Sequence, residues 1–179
     1  MNYGMLKAQI RATLSINDPV INAYIPNFIS QAQARISREV QIFDLVKVIE
    51  VPLRSGESIL KKPTDWVREI SAYYFVSGVP IQLKWRPLSM MLKYSPAPFT
   101  EDESYPLLWG ESSREDLFFT PIPSNNINIS ITYLAQDADF DGDESSTILS
   151  ETYPSLLLYA SLLEATPFVQ SDERIQIWE

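Results

Sequence analysis

Near its start the chain places Met5, Leu6, Ile10 and Leu14 at helical spacing, with Lys7 and Arg11 four residues apart on the other side. That pattern predicts a short amphipathic helix over Tyr3 to Leu14. Ser15 to Asp18 breaks it, and Asp18-Pro19 offers an N-cap followed by a proline at the first helical position. A second stripe of period 3.6 then runs through Ile21, Ile25, Phe28, Ile29, Ala32 and Ile36 to about Arg38. Pro26 falls inside it, where the ring clashes with the preceding turn and a hydrogen bond is lost, so the helix is expected to restart there.

After Val40 the period changes. Leu45 to Val51 is rich in β-branched residues with partial alternation, which suits a half-buried strand. A turn at Ser55-Gly56 leads to Ile59-Leu60 and predicts a first hairpin, and a corner follows at Pro63 to Glu69, carrying Trp66. Ile70 to Val76 and Pro80 to Trp85 flank Ser77-Gly78-Val79 as a second hairpin. Pro87 followed by Leu88, Met91 and Leu92 fits a short helix beginning at its proline. Strands are predicted at Pro106 to Trp109, Asp116 to Thr120 and Ile127 to Leu134. The last of these has the cleanest alternation, with Ile127, Ile129, Ile131 and Tyr133 between polar neighbours.

Gln136 to Ser146 reads as an acidic loop. Helical character returns at Tyr153-Pro154 in a run through Leu156, Leu157, Leu158, Leu162 and Leu163 that is apolar nearly all round, so most of its sides need cover from this chain or from another copy. Pro167 ends it. Ser171 and Asp172 cap a last helix with Ile175 and Trp178 on its apolar face, and a helix of two turns is marginal unless it docks or continues.

Composition narrows the chemistry. The 179 residues suit one domain or one helical framework carrying an inserted lobe, and 45% hydrophobic with 21% charged residues is ordinary globular composition. Thirteen prolines against five glycines predict short elements and stiff connections rather than long helices. Cysteine and histidine are both absent. Disulfides, thiolate zinc sites and thiol nucleophiles are thereby excluded, and so are the usual general base near neutral pH and the commonest nitrogen ligand. No enzyme and no cofactor are expected. No apolar run approaches the ~20 residues of a spanning helix, and the N-terminus lacks a signal-peptide core, so a soluble protein made in the cytoplasm is expected. A net charge of −9 disfavours gripping a phosphate backbone, since that affinity comes from Lys and Arg displacing counterions.

The polar clusters are few. Asp137-x-Asp139-x-Asp141-Gly142-Asp143 begins like a calcium loop, but its twelfth position is Ile148 instead of Glu and its eighth, normally apolar, is Glu144. Asp137, Asp139, Asp141 and Asp143 are the one metal candidate, and a solvated turn before a helix is the favoured reading. Asp65 with Glu69, and Glu101, Asp102 and Glu103, are paired carboxylates without a visible substrate platform, so solvated charge is expected of them. Glycines at 4, 56, 78, 110 and 142 never cluster into a phosphate loop. Trp66 and the run Tyr73 to Phe75 are read as core, and Trp178 as an intermolecular anchor.

Several segments, in their order and spacing, resemble the head-to-tail adaptor (connector, head-completion) proteins of short-tailed phages. They are Phe28-Ile29-x-x-Ala32-x-x-x-Ile36-x-Arg38, Lys62-Pro63-x-Asp65-Trp66-x-x-Glu69 and Gly78-x-Pro80. Most specific is the ending, Tyr153-Pro154-x-Leu156-Leu157-x-Tyr159-x-x-Leu162-x-Glu164-Ala165, then Phe168-x-x-x-Asp172-Glu173-Arg174-x-x-x-Trp178-Glu179. The resemblance implies an α+β fold in which N- and C-terminal segments form a helical bundle carrying an inserted antiparallel β-rich lobe. Expected divisions are 1–42 and 152–179 for the bundle, 43–135 for the lobe and 136–151 for the acidic loop, with the final helix cut short. It also implies a ring of twelve identical subunits in the virion neck, bridging the portal and a tail or nozzle protein around a channel that DNA traverses without specific binding. No membrane partner is implied. Contacts are expected from Phe28, Leu156, Leu158, Tyr159, Leu162, Phe168, Ile175 and Trp178. The competing readings are another neck or tail ring component, or a monomeric carbohydrate- or peptide-binding β module.

Overall fold

Helical periodicity near both ends and strand periodicity between them resolve into a mixed α+β structure. The structure, a computed structural model, describes residues 1–15, 18–94 and 105–168. Among these residues the elements run α1 (Tyr3–Leu14), α2 (Pro19–Glu39), β1 (Val46–Leu53), β2 (Ile59–Lys61), β3 (Trp66–Val76), β4 (Val79–Trp85), α3 (Leu88–Tyr94), β5 (Leu108–Glu111), β6 (Asp116–Thr120), β7 (Ile127–Ala135), α4 (Ile148–Thr152) and α5 (Pro154–Ala165). They divide into two compact units. Met1–Leu45 with Gln136–Glu179 make a helical unit, and Val46–Ala135 a strand unit.

In the helical unit α1, α2 and α4 start on polar side-chain caps, and α5 starts on a proline. The Asn2 side chain accepts the Met5 N–H, and the Asp18 carboxylate accepts the Val20 N–H at 2.8 Å with Pro19 in the first turn, which satisfies donors that a helix start leaves orphaned. Helix α2 then runs 21 residues without a break, which corrects the expected restart at Pro26 and the expectation of short helices only. Pro26 lies on the exposed side, while Ile25, Phe28, Ile29, Ala32 and Ile36 are buried on the other. Burial of such side chains, about 1.5–3 kcal/mol each, offsets the roughly 3 kcal/mol cost of an interior proline. Helix α2 packs on α5, and α1 and α4 also touch α5. Thr147 forms a capping box with Ser150 at the start of α4, a helix that periodicity did not announce.

The strand unit is one seven-stranded sheet in the order β1-β7-β3-β4-β5-β6-β2. Its pairs are antiparallel except β4 with β5, which run parallel through Lys84 with Leu108 and Trp85 with Trp109, a departure from the all-antiparallel expectation. The predicted hairpin of β1 with β2 does not form. Instead β1 pairs with β7 and β2 with β6, so two strands consecutive in sequence stand at opposite ends of the sheet order. The turn between them is held elsewhere. Gly56 N–H donates to the Pro123 carbonyl at 3.0 Å, and Ser55 N–H to Asn126 Oδ1 at 2.9 Å.

That connection constrains the sheet. Six residue steps from Leu53 to Ile59 reach ~20 Å at full extension, whereas flat strands would hold β1 and β2 ~29 Å apart. The sheet therefore curls, and its inner face encloses a core drawn from all seven strands, including Leu53, Leu60, Tyr74, Leu83, Trp109, Phe119 and Ile129. The second hairpin is where the sequence placed it. Ser77 (φ 50) and Gly78 (φ 82) form a two-residue turn with both φ positive, the geometry that matches strand twist, and join Val76 to Val79. β3 begins at Trp66, four residues before the predicted start, so the expected corner is the head of the strand.

Where β5 meets the end of β4 the backbones come unusually close. A Cβ on Gly110 would stand 2.1 Å from the Arg86 carbonyl oxygen, so only glycine fits beside that chain. Gly110→Ala is expected to destabilise the protein by about 2 kcal/mol or more in denaturant unfolding. A change within ~0.5 kcal/mol would show that β5 has room to move away.

Candidate interaction surface

Helix α5 begins at Pro154, which cannot continue α4 but suits a first turn. The Tyr153 hydroxyl at the junction donates to Asp44 Oδ2 at 3.2 Å; that bond, then the carboxylate's charge, raise the tyrosine pKa above its ordinary value. One face of α5, Leu157, Ser161, Leu162 and Ala165, is buried. Ser161 fits there because its hydroxyl donates back to the Leu157 carbonyl at 2.7 Å. Leu156, Tyr159, Ala160 and Leu163 fall opposite at helical spacing, with Leu156 38% and Tyr159 48% exposed.

The sequence-predicted contact residues therefore separate. Leu156 and Tyr159 are exposed, and Leu158 is half-buried. Phe168 is exposed yet lies against Tyr24 and Phe28, with ring centroids 5.5 and 5.0 Å away. Leu162 (0%) and Phe28 (1%) are already covered by this chain, so neither has free surface to offer a partner. Ile175 and Trp178 lie outside the described residues, as do Glu101, Asp102 and Glu103. Phe43, 82% exposed in the short turn before β1, is apolar surface that sequence reasoning missed, because it belongs to neither stripe.

The acidic loop is engaged in holding the fold. Asp137 is buried, and its carboxylate accepts the N–H groups of Ala138, Ile148 and Leu149 at 3.0, 3.2 and 3.0 Å, which makes it a cap on the start of α4. Asp143 pairs with Lys7, and its carbonyl accepts the Gly4 N–H at 2.8 Å; the Ser145 carbonyl accepts the Tyr3 N–H at 2.9 Å. Phe140 stacks on Tyr3 at 4.5 Å. The turn before α4, exposed at Asp139 and from Asp141 to Glu144, is at the same time a strap across the first turn of α1. Among the described residues no group of three or more acidic side chains is arranged to hold a metal ion.

In the strand unit the Lys62-Pro63-x-Asp65-Trp66 segment forms a locked corner. Trp66 stacks on Tyr133 at 4.9 Å, meets Trp109 edge-on at 6.4 Å, and donates its indole N–H to Glu111 at 3.1 Å. Tyr133 in turn donates to Asp65 at 2.9 Å, and Lys47 bonds the same carboxylate at 2.6 Å. Burial pushes the Asp65 carboxyl up, but the bonds from Lys47 and Tyr133 outweigh it and hold the group below its ordinary value. Burial, reinforced by the Asp65 bond and charge, pushes Tyr133 up to about 12. Asp65 is thus a clamp in this corner. Tyr74 is core as expected, whereas Phe75 is 57% exposed and Tyr73 half-buried, because strand alternation turns positions 73 and 75 to the outer face.

The polar clusters at Asp137, Asp143 and Asp65 secure structure, and in the helical unit Leu156 and Tyr159 of α5, with Phe43, leave apolar surface exposed, the kind of surface through which structural proteins assemble. Residues 1–179 match the SU10 adaptor protein family model, and the chain belongs to that family of phage adaptor proteins, structural components of the virion. No curated protein matches the chain. Among the described residues no helix is long and apolar enough to cross a membrane.

Two outcomes follow from the clamps. Asp137→Ala is expected to cost about 2 kcal/mol in chemical unfolding, because a buried cap serving three N–H groups is lost; a loss below ~0.5 kcal/mol would contradict that role. Asp65, with its folded pKa depressed, contributes stability that is complete above the ordinary carboxylate pKa of about 4 and lost as pH falls through the folded value. Asp65→Asn should lower stability at neutral pH and flatten that acid limb, and an unchanged acid profile would show that the pair with Lys47 is idle.

Proposed function

We propose that the chain is a ring-forming head-to-tail adaptor, twelve copies joining the portal to a tail or nozzle protein around the genome exit channel in the virion neck. On this reading residues 1–42 and 152–179 form a helical bundle bearing 43–135 as a lobe, with the acidic loop at 136–151 bracing the bundle. What carries the proposal, beside family membership, is the stripe opposite the buried face of α5, where Leu156 and Tyr159 are exposed and Leu163 is half-buried. A neighbouring subunit or the portal is a natural cover for apolar surface of that kind, since closed symmetric assemblies bury the same patches on every copy.

Charge fits the channel. The helical unit holds five basic and thirteen acidic residues against nine and ten in the strand unit, so eight of the nine net negative charges belong to it. An acidic wall repels the DNA backbone and lets a duplex slide without sticking. The absence of histidine and cysteine from the sequence, and the engagement of Asp65 and Asp137 in the fold, support a role without catalysis.

The test is negative-stain imaging of the purified chain mixed with purified portal, where annular complexes are expected and their absence removes the proposal. Leu156→Asp with Tyr159→Asp should keep native circular dichroism yet reduce complex formation at least tenfold. Leu162→Asp, by contrast, should unfold the helical unit, because that side chain is buried within the chain. Undiminished assembly by the folded double variant would exclude α5 as the contact.

A further inference from the structure

On the outer face of the curled sheet, away from its core, a cleft of about 540 Å³ opens beside the β3–β4 turn, within the size range of small-ligand sites. Its floor is β7. Ser130 sits there between Glu50 of β1 and Tyr73 of β3, is only 4% exposed, and its hydroxyl has no hydrogen-bond partner among the described residues. A buried hydroxyl without a partner is rare in a folded protein and calls for one from outside. Asn128, two residues along on the same face, brings an amide, Glu50 a carboxylate and Ser77 a second hydroxyl, while Phe75 and Tyr105 supply aromatic surface. A second cleft of about 510 Å³ adjoins across Phe75, lined in part by Tyr73 and Gln82.

We propose that this face binds a neutral oligosaccharide, with Ser130, Asn128 and Glu50 bonding its hydroxyls and Phe75 carrying the apolar face of a sugar ring. The lining selects that chemistry. Among the described residues Glu50 is the one charged side chain in the two linings and it is negative, so phosphate, sulfate and nucleic acid are disfavoured. Hydroxyls that both donate and accept match amide, carboxylate and serine groups together, and a sugar's C–H face matches an exposed aromatic ring. Strand addition by a peptide is disfavoured too. β7 and β3 are interior strands whose backbones pair on both sides, so recognition must run through side chains. Two clefts separated by one aromatic suit a chain of several sugar units better than a monosaccharide.

The inference does not rest on ring assembly, and its experiment reads the ligand directly. The full chain is applied to an array of neutral, sulfated and phosphorylated oligosaccharides, and the strongest neutral binder is titrated by calorimetry. Saturable binding of a neutral oligosaccharide is expected, weakened at least tenfold in Asn128→Ala and in Phe75→Ala. Both sites are exposed, so both variants should keep the parent melting temperature and portal binding. No array binding above background, a preference for charged glycans, or equal affinity in the two folded variants would overturn the proposal.

Discussion

Helix α5 has almost no polar side to give to water, and much of the helical unit depends on how that surplus is distributed. One face, through Leu157, Leu162 and Ala165, is buried, and α5 packs chiefly on α2. The opposite face keeps Leu156 and Tyr159 in solvent, although a helix serving only its own unit would place charged residues there. Burial of the first holds the chain's two ends together, and the second is the surface proposed above as the assembly contact.

Acidic residues are numerous, yet those the structure buries are fasteners. Asp137 caps α4 and Asp65 ties Tyr133 to Lys47, each carboxylate replacing water by several donors; at Asp65 the bonds from Lys47 and Tyr133 outweigh burial and favour the charged form. Both act at connections. Asp137 sits where the chain leaves β7 and reaches across to the start of α4, Asp65 where it enters β3, and in both places backbone donors or aromatic stacking need a fixed partner.

Local signals made most of the elements legible. The stripes of α1 and α2, the Asp18-Pro19 start, the Ser77-Gly78 turn and the alternation of β7 all follow from residues within one or two turns of each other. Tertiary contacts decided the rest. Pro26 is overridden by the buried face of α2, and β1 and β2 part company because the Ser55-Gly56 turn bonds to Pro123 and Asn126 some seventy residues away. Of the candidate surface, Leu156 and Tyr159 follow from the all-apolar run, but nothing local says that Phe28 and Leu162 face inward while Phe43 faces out. The cleft around Ser130 was equally hidden, since a lone serine in an alternating strand looks like any solvent-facing position until the register puts Glu50 and Tyr73 beside it.

Hydroxyl-radical footprinting of the free chain and of the chain bound to portal tests the central claim most directly. Leu156 and Tyr159 should label readily alone and be protected at least severalfold in the complex, while Leu162, covered from the outset, should label weakly in both. Equal labelling of Leu156 and Tyr159 in the two states would contradict the account, because the exposed face of α5 would then have no cover in the assembly it is argued to build.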